Sequence, residues 1–147
     1  MPGQEPEFPG DTEGTPVYEA TTESVRVLVQ AFWLEDQSEP SDRVYCWAYR
    51  IRIENHGSST IQLLGRHWEI IDAAGRTEHV RGEGVVGEQP VLTPAAGFEY
   101  TSGASLDTPG GIMRGTYTMT EQPGGRLFEV RIPAFSLDSP FQSSTLH

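Results

Sequence analysis

One glycine-rich segment of the chain has the spacing of a phosphate-binding turn. Residues 81–90 read RGEGVVGEQP, in which Gly82, Gly84 and Gly87 form the pattern G-x-G-x-x-G. In dinucleotide-binding folds these glycines leave a strand and open a helix, and the N-terminus of that helix holds the pyrophosphate. The spacing by itself therefore suggests a phosphate-bearing ligand.

The residues around these glycines argue against that fold. Pro90 and another strand pattern follow the loop, and no helical pattern succeeds it. Glu83 and Glu88 would place negative charge beside any phosphate. We therefore predict a folded connection in which the glycines supply positive φ or close backbone approach. Val85 and Val86 are expected to pack under it.

Two binding roles remain open for this loop. Successive glycine amides can form an anion-binding nest without a helix, here aided by Arg81 and Arg66. Loops on rigid β scaffolds also carry protein-binding function, and we favour that role. A Gly84→Val variant is expected to lose binding and keep the fold. The candidate ligand- or partner-binding residues are Arg81, Gly82, Glu83, Gly84, Gly87 and Glu88, with Arg66 and His67 of the neighbouring RHW motif.

The histidines give only a weak prediction of a metal site. None of the four belongs to a close H-x-x-x-H or H-E-x-x-H motif. His67 and His79 are weak candidates, because they could meet across a hairpin near Glu69 or Asp72. Weak binding of Mg²⁺ or Co²⁺ to surface carboxylates would need no dedicated site. We therefore expect no cofactor.

The chain lacks the motifs of nucleophilic catalysis. No G-x-S-x-G pattern is present. The single cysteine, Cys46, lies between Tyr45 and Trp47, where a buried structural thiol is the expected state. These observations predict a protein that is not an enzyme.

Composition limits the partners of the chain. Its 147 residues include 21 acidic residues and ten arginines, with no lysine, for a net charge of −11. Such a surface repels phosphate backbones, so nucleic-acid binding is not expected, whereas basic partners and cations are compatible with it. No secretory signal or stretch of membrane-spanning length is found, and one cysteine fits a reducing compartment. The sequence thus predicts a cytoplasmic protein without membrane insertion.

The elements that would carry these residues are strands. In residues 43–55 Trp47, Tyr49, Ile51 and Ile53 alternate with Ala48, Arg50 and Arg52, which is the period of a half-buried strand. Similar segments punctuated by glycine and proline predict seven or eight strands, with a bend near Gly65, and an antiparallel β-sandwich of the immunoglobulin or fibronectin type III kind. The predicted organisation is an acidic flexible segment at 1–24, a domain at 25–137 and a tail at 138–147. The predicted strands are 25–34, 43–55, 60–72, TEHV (77–80), a short strand near 91–92, 98–106, 112–120 and 126–135.

Several segments together resemble the ApaG family, from about Val25 to Leu137. They are YRIRIENHG, QLLGRHWEIIDAAGR, VRGEGVVGEQPVLTPAAGFEYTSGASLDTPGGIMRGTYTM and FEVRIPAFSL. One departure is Ala104, where family members often carry a small residue such as cysteine. The resemblance implies a fibronectin type III-like sandwich with no family-wide catalytic mechanism.

The resemblance also implies a functional context. The bacterial family has the alternative name CorD and is associated with cobalt and magnesium tolerance or efflux, and related eukaryotic domains belong to an F-box protein and a polymerase-delta-interacting protein. We therefore expect a protein-interaction module, associated with cobalt and magnesium homeostasis through an unidentified protein partner. The alternative is a small-ligand sensor that binds pyrophosphate-containing molecules or a divalent cation at the glycine-rich loop. Homo-oligomerisation stays open.

Overall fold

Strands of alternating polarity form two antiparallel sheets in the computed structural model, which describes residues 14–142. The strands are β1 (Tyr18–Thr22), β2 (Val25–Trp33), β3 (Tyr45–Asn55), β4 (Thr60–Asp72), β5 (Thr77–Glu83), β6 (Val91–Leu92), β7 (Gly97–Leu106), β8 (Gly111–Gln122) and β9 (Arg126–Leu137). One sheet has the order β1-β2-β3-β7, and the other has the order β5-β4-β8-β9 with β6 beside β4. Two 3-10 helices, Glu35–Gln37 and Pro40–Asp42, lie between β2 and β3. The predicted antiparallel β-sandwich is confirmed.

The core lies between the two sheets, where the alternation along β3 placed it. Trp47, Tyr49, Ile51 and Ile53 are buried, and the residues between them are half-buried on the opposite face. Because consecutive strand residues point to opposite faces, this period fixes which face meets the other sheet.

The first strand begins at Tyr18, ahead of the first predicted strand at residue 25. Strand β1 lies inside the segment 1–24 and pairs with β2 from Tyr18↔Val29 to Thr22↔Val25. The Thr22 hydroxyl also accepts a hydrogen bond from the backbone N–H of Arg131, at 3.1 Å. Residues 1–13 of the predicted flexible segment lie outside the described residues.

The start of the predicted C-terminal tail also packs on the domain. The Ser139 hydroxyl donates to the carbonyl of Pro109 at 2.6 Å, and the ring of Phe141 lies 6.0 Å from that of Trp33. Residues 143–147 fall beyond the described part of the chain. In residues 14–142, no helix is long and apolar enough to cross a membrane.

A bulge in β4 changes which of its side chains face the core. The β4–β8 register shifts between Leu63 and Gly65, where the sequence predicted a bend. Beyond the shift, Arg66 lies opposite Tyr117, which is fully buried. Directly opposed residues of antiparallel strands share a face, so Arg66 points between the sheets. The bulge therefore places a cation at the margin of an apolar core.

The two long sides of the sandwich differ. On one side, β9 packs against β1 and β2 of the other sheet. On the other side, between β5 and β7, the sheets are separated by two cavities of about 350 Å³ and 270 Å³. We call this second side the open seam.

Candidate functional site

The glycine-rich loop of residues 84–88 is a tight turn with left-handed backbone. Gly84, Val86 and Gly87 have φ values of +62°, +43° and +81°. The N–H of Val85 donates to the carbonyl of Glu88 at 2.8 Å, and the N–H of Glu88 donates to the carbonyl of Val85 at 2.9 Å. The prediction that glycines supply positive φ is confirmed for Gly84 and Gly87.

Gly84 cannot accept a side chain without a change in the loop. A Cβ built on it would collide with the carbonyl oxygen of Glu88, and its φ is unfavourable for other residues. Gly87 has the same sign of φ but open space around it. The expectation that Gly84→Val leaves the fold intact is therefore wrong for the loop itself.

Side chains of β4 and the loop hold this turn in place. Arg66 Nη1 donates to the carbonyls of Gly84 and Glu83, at 2.8 and 3.1 Å. Gln89 Nε2 donates to the carbonyl of Leu64 at 2.8 Å. The loop is thus fixed from below by a guanidinium and an amide.

These contacts leave few donors for an anion nest. The N–H of Gly84 donates to the carbonyl of Leu64 at 2.8 Å, and those of Val85 and Glu88 are used within the turn. Three amides of the loop are therefore already satisfied. The nest interpretation loses most of the donors that it needs.

The loop places its two valines in opposite environments. Val85 is 1% exposed and belongs to the core, whereas Val86 is 52% exposed. The prediction that both valines pack under the loop therefore holds only for Val85. Because β-branched residues rarely adopt positive φ, Val86 is both strained and exposed. Gly87 and Glu88 are exposed beside it.

The structure separates the predicted cationic residues into two groups. Gly82 lies opposite Arg66 in the β4–β5 pair, and Arg81 lies opposite His67. Arg66 therefore faces the loop and the core, whereas Arg81 and His67 share the outer face of the sheet. Arg66 and Arg81 cannot both contact one small anion in the loop.

A cavity of about 270 Å³ lies under the loop at one end of the open seam. Its walls combine the Arg66 guanidinium with three hydroxyl-bearing residues, Tyr49, Tyr100 and Ser102, none of which was predicted from the sequence to belong to a site. The alternation predicts that these side chains face inward, but the β4 bulge that brings Arg66 to them has no clear sequence pattern beyond Gly65. The lining residues are Tyr49, Arg66, Trp68, Glu83, Val85, Val86, Gly87, Tyr100 and Ser102.

The tyrosines of this region stay protonated at neutral pH. Burial raises the pKa of Tyr49, against smaller opposing effects from the Ser102 hydrogen bond and the Arg66 charge. Tyr100 Oη and Tyr117 Oη lie 2.6 Å apart, and burial raises the pKa of both well above the usual value. The cavity wall thus combines the Arg66 cation and neutral hydroxyls with the exposed residue Glu83, and the guanidinium is suited to binding a carboxylate or another small anion.

The two weak metal candidates do meet on the outer face. His67 Nε2 and His79 Nδ1 are 2.9 Å apart. Glu69 is near them, but its carboxylate is bound to Arg114 at 2.6 Å, and this hydrogen bond is the main cause of its lowered pKa. Asp72 is held by Arg76 at 2.8 Å. Within residues 14–142 no group of three or more His, Cys, Asp or Glu is placed to hold a metal ion.

Cys46 differs from the buried thiol predicted for it. It is half-buried, and its thiol donates a hydrogen bond to the Ser105 hydroxyl, with 3.7 Å between Sγ and Oγ. The outer face of β3 is partly open to water, so the neighbouring Tyr45 and Trp47 are buried while Cys46 is not.

Comparison with known proteins agrees with this architecture. The model of the ApaG domain matches residues 35–121. Protein ApaG of Paramagnetospirillum magneticum is 55% identical over 131 residues, which cover 89% of this chain and 100% of the relative. Protein ApaG of Rhodospirillum centenum is 56% identical over 124 residues, which cover 84% and 95%.

A solved structure shares the fold. A crystal structure named for an ApaA protein from Bordetella pertussis superposes with a TM-score of 0.76 at 45% identity, and the match covers 86% of this chain and 100% of that one. The domain match spans more than half of the chain, and the relatives are matched over almost their full length. The chain therefore belongs to the ApaG family.

Proposed function

We propose that this chain is a non-enzymatic protein-interaction module that contacts its partner through the RGEGVVGEQP loop. The observation that carries the proposal is Val86, which is 52% exposed and has a φ of +43°. Strained backbone persists where the surrounding structure enforces it, and such positions concentrate at functional sites.

The support beneath the loop favours the same role. Because Arg66 and Gln89 fix the turn, its exposed residues are already ordered before a partner arrives. Preorganisation lowers the entropy cost of binding. His67 and Arg81, on the adjoining outer face, extend the proposed contact surface.

We assign the association with cobalt and magnesium homeostasis to the partner. The support for this assignment is the resemblance to the ApaG family. In this scheme the chain binds a protein that acts on these ions, such as a transport component, and the loop forms the contact with that protein.

The test replaces Val86 with asparagine, which tolerates left-handed backbone. Relief of strain should stabilise the fold by about 1 kcal/mol, while removal of the exposed apolar side chain should weaken partner capture. The matched control is Ala95→Asn, because Ala95 is also exposed and has a φ of +74°. Each immobilised protein is challenged with a bacterial lysate, and captured proteins are quantified by mass spectrometry.

The proposal requires a partner that Val86→Asn loses and Ala95→Asn keeps, although both variants unfold at higher denaturant concentration than the wild type. Equal capture by all three proteins would remove the loop as the contact surface.

A second candidate function is a sensor for a pyrophosphate-containing molecule or a divalent cation at the loop, and the Arg66 cavity favours the anionic ligand. Arg66 has no carboxylate oxygen within 4.0 Å among the described residues, so an anion could complete its contacts. Thermal unfolding is measured with Co²⁺, Mg²⁺, pyrophosphate and diadenosine tetraphosphate at matched ionic strength. A ligand at about 100 times its Kd adds about 2.7 kcal/mol to the free energy of unfolding, and unchanged midpoints across the panel would dismiss this candidate.

A further inference from the structure

We infer that an extended peptide segment of a protein partner adds to the free edge of β7 and places one carboxylate side chain against Arg66. The inference rests on the proposed interaction function and specifies the chemistry of the partner. The loop residues Val85 and Gly87 line the cavity at this edge, so the loop and the β7 edge are parts of one continuous surface.

Strand β7 is a long edge without the usual protection. It pairs with β3 at ten consecutive positions with no register shift, and it ends the sheet order. Natural edge strands are commonly protected by lysine, proline or bulges. The single charged residue of β7, Glu99, lies 4.0 Å from Arg50 and 3.9 Å from Arg52 of its own sheet. Glu99 is therefore directed to the neighbouring strand and does not shield the open edge.

The other sheet edges are protected in the described part of the chain. Strand β1 has only five residues, and its Thr22 hydroxyl accepts a hydrogen bond from the N–H of Arg131 of β9. Strand β9 also carries Pro133. Strand β5 has seven residues, among them the exposed charged residues Glu78, Arg81 and Glu83. An added strand therefore meets the fewest obstacles at β7.

The open seam offers room for the side chains of an added strand. Ser102 and Ala104 of β7 face the seam side and are small and half-buried. The cavity of about 270 Å³ lies at the Ser102 end, and the cavity of about 350 Å³, lined by Ile70 and Leu106, lies at the other end. Alternate residues of an added strand point to one face of the sheet. Two such residues can therefore enter the two cavities.

Arg66 determines the chemistry at the first cavity. Within residues 14–142 its Nη1 bonds to loop carbonyls, while Nε and Nη2 make no hydrogen bond. A carboxylate can accept two parallel bonds from a guanidinium, and the hydroxyls of Tyr49 and Ser102 line the same cavity. An Asp or Glu side chain of the peptide fits this donor set.

The charge of the whole chain restricts the peptide further. A net charge of −11 repels a strongly acidic segment at long range. The partner segment should therefore carry one carboxylate among neutral or basic residues.

In the experiment, peptides that bind the full chain are selected from a displayed library of random ten-residue sequences. The selected peptides are then synthesised, and their affinities for the chain are measured by calorimetry. Selected sequences should alternate apolar and polar residues and contain one Asp or Glu at a fixed position. Replacing that Glu with Gln should weaken binding tenfold to a hundredfold, because a hydrogen bond to a charged group is lost. The Glu and Gln peptides should bind the Arg66→Gln protein equally, whereas the control Arg131→Gln, at an exposed position of β9, should keep the preference.

Methylation of the peptide backbone tests strand addition without altering the protein. Because alternate N–H groups of a strand point to its neighbour, methylation of one alternate set should abolish binding and methylation of the other should leave it unchanged. Equal effects of both sets, equal binding of Glu and Gln peptides to the wild type, or failure to select any peptide would overturn the inference. The inference would also be overturned if sedimentation showed a dimer and the β7 amides of that dimer were protected from hydrogen exchange, because a second copy of the chain would then occupy the edge.

The result is distinguishable from a failure of the proposed function. Partner capture that depends on Val86, together with no peptide binding at β7, would retain the loop as a contact and reject the strand addition. NMR shows which backbone amides change chemical shift when a selected peptide is added. Shift changes confined to β7 and the cavity, and unaffected by Val86→Asn, would retain strand addition and remove the loop from the contact surface.

Discussion

The hydroxyl pair of Tyr100 and Tyr117 provides a test of how the site is built. The two oxygens are 2.6 Å apart between the sheets. Tyr117 is fully buried, whereas Tyr100 is 8% exposed and lines the cavity under the loop. Each tyrosine is the hydrogen-bond partner of the other, so the two phenylalanine substitutions should have unequal costs.

At neutral pH the cost depends on which hydroxyl is left behind. Tyr100→Phe leaves the buried Tyr117 hydroxyl without this partner and should destabilise the fold by about 1–3 kcal/mol. Tyr117→Phe leaves the Tyr100 hydroxyl at the cavity, where water can reach it, and should cost less. The double variant removes both polar groups and should lie closer to the wild type than Tyr100→Phe does.

At high pH the same pair should destabilise the wild type. Burial raises the pKa of both tyrosines above 10.0 in the folded chain. The unfolded chain ionises first, so the stabilisation is fully present below pH 10 and is lost as the pH rises toward the folded values. At pH 11 each tyrosine should lower the free energy of unfolding by about 1.4 kcal/mol, and the pair should lower it by nearly 3 kcal/mol.

Urea unfolding of the four proteins at pH 7 and pH 11, followed by tryptophan fluorescence, measures both effects. Tyr49, whose pKa is also raised by burial, is present in every variant and cancels in the comparison. The double variant should lose nearly 3 kcal/mol less than the wild type between the two pH values. An equal loss in both proteins, or a Tyr117→Phe cost larger than that of Tyr100→Phe, would refute this account of the pair.

Further substitutions and truncations test the packing of individual glycines and the contribution of β1. Gly115→Ala should destabilise the fold by about 1–3 kcal/mol, because a Cβ there collides with a backbone oxygen of β4, whereas Gly124→Ala, with nothing within 4 Å, should leave the urea midpoint nearly unchanged. Gly84→Val should disorder the loop, seen as faster amide exchange there, and undisturbed loop amides would contradict the positive-φ requirement. A chain that begins at residue 23 lacks β1 and should unfold several degrees below a chain that begins at residue 14; equal midpoints would mean that β1 adds no stability.

Much of the fold could be predicted because its information is local. In β3, the large apolar residues Trp47, Tyr49, Ile51 and Ile53 occur at every second position, and this period alone predicts which face is buried. The turns are marked by glycine and proline, whose backbone preferences are intrinsic. The left-handed turn at Gly84 and Gly87 was predictable for the same reason.

Strand β1 was missed because its local pattern is weak. Its five residues, YEATT, follow an acidic, proline-rich segment, and none is fully buried. Pairing with β2 and the contact of Thr22 with Arg131 hold it in place. Strand β2 follows after only Glu23 and Ser24, a turn that no glycine or proline marks, whereas Arg131 is distant in sequence.

The sequence by itself determined the sandwich, the burial of alternate residues and a glycine loop with left-handed backbone, since strand period and turn preference act between near neighbours. Tertiary structure alone decided the rest. The bulge between Leu63 and Gly65 turned Arg66 toward the core and left Arg81 on the other face. Packing of β9 on β1 closed one side of the sandwich, while the side between β5 and β7 stayed open. Which edges of the two sheets pack together depends on contacts among strands that are far apart in the chain. The pattern of a single segment therefore cannot predict it.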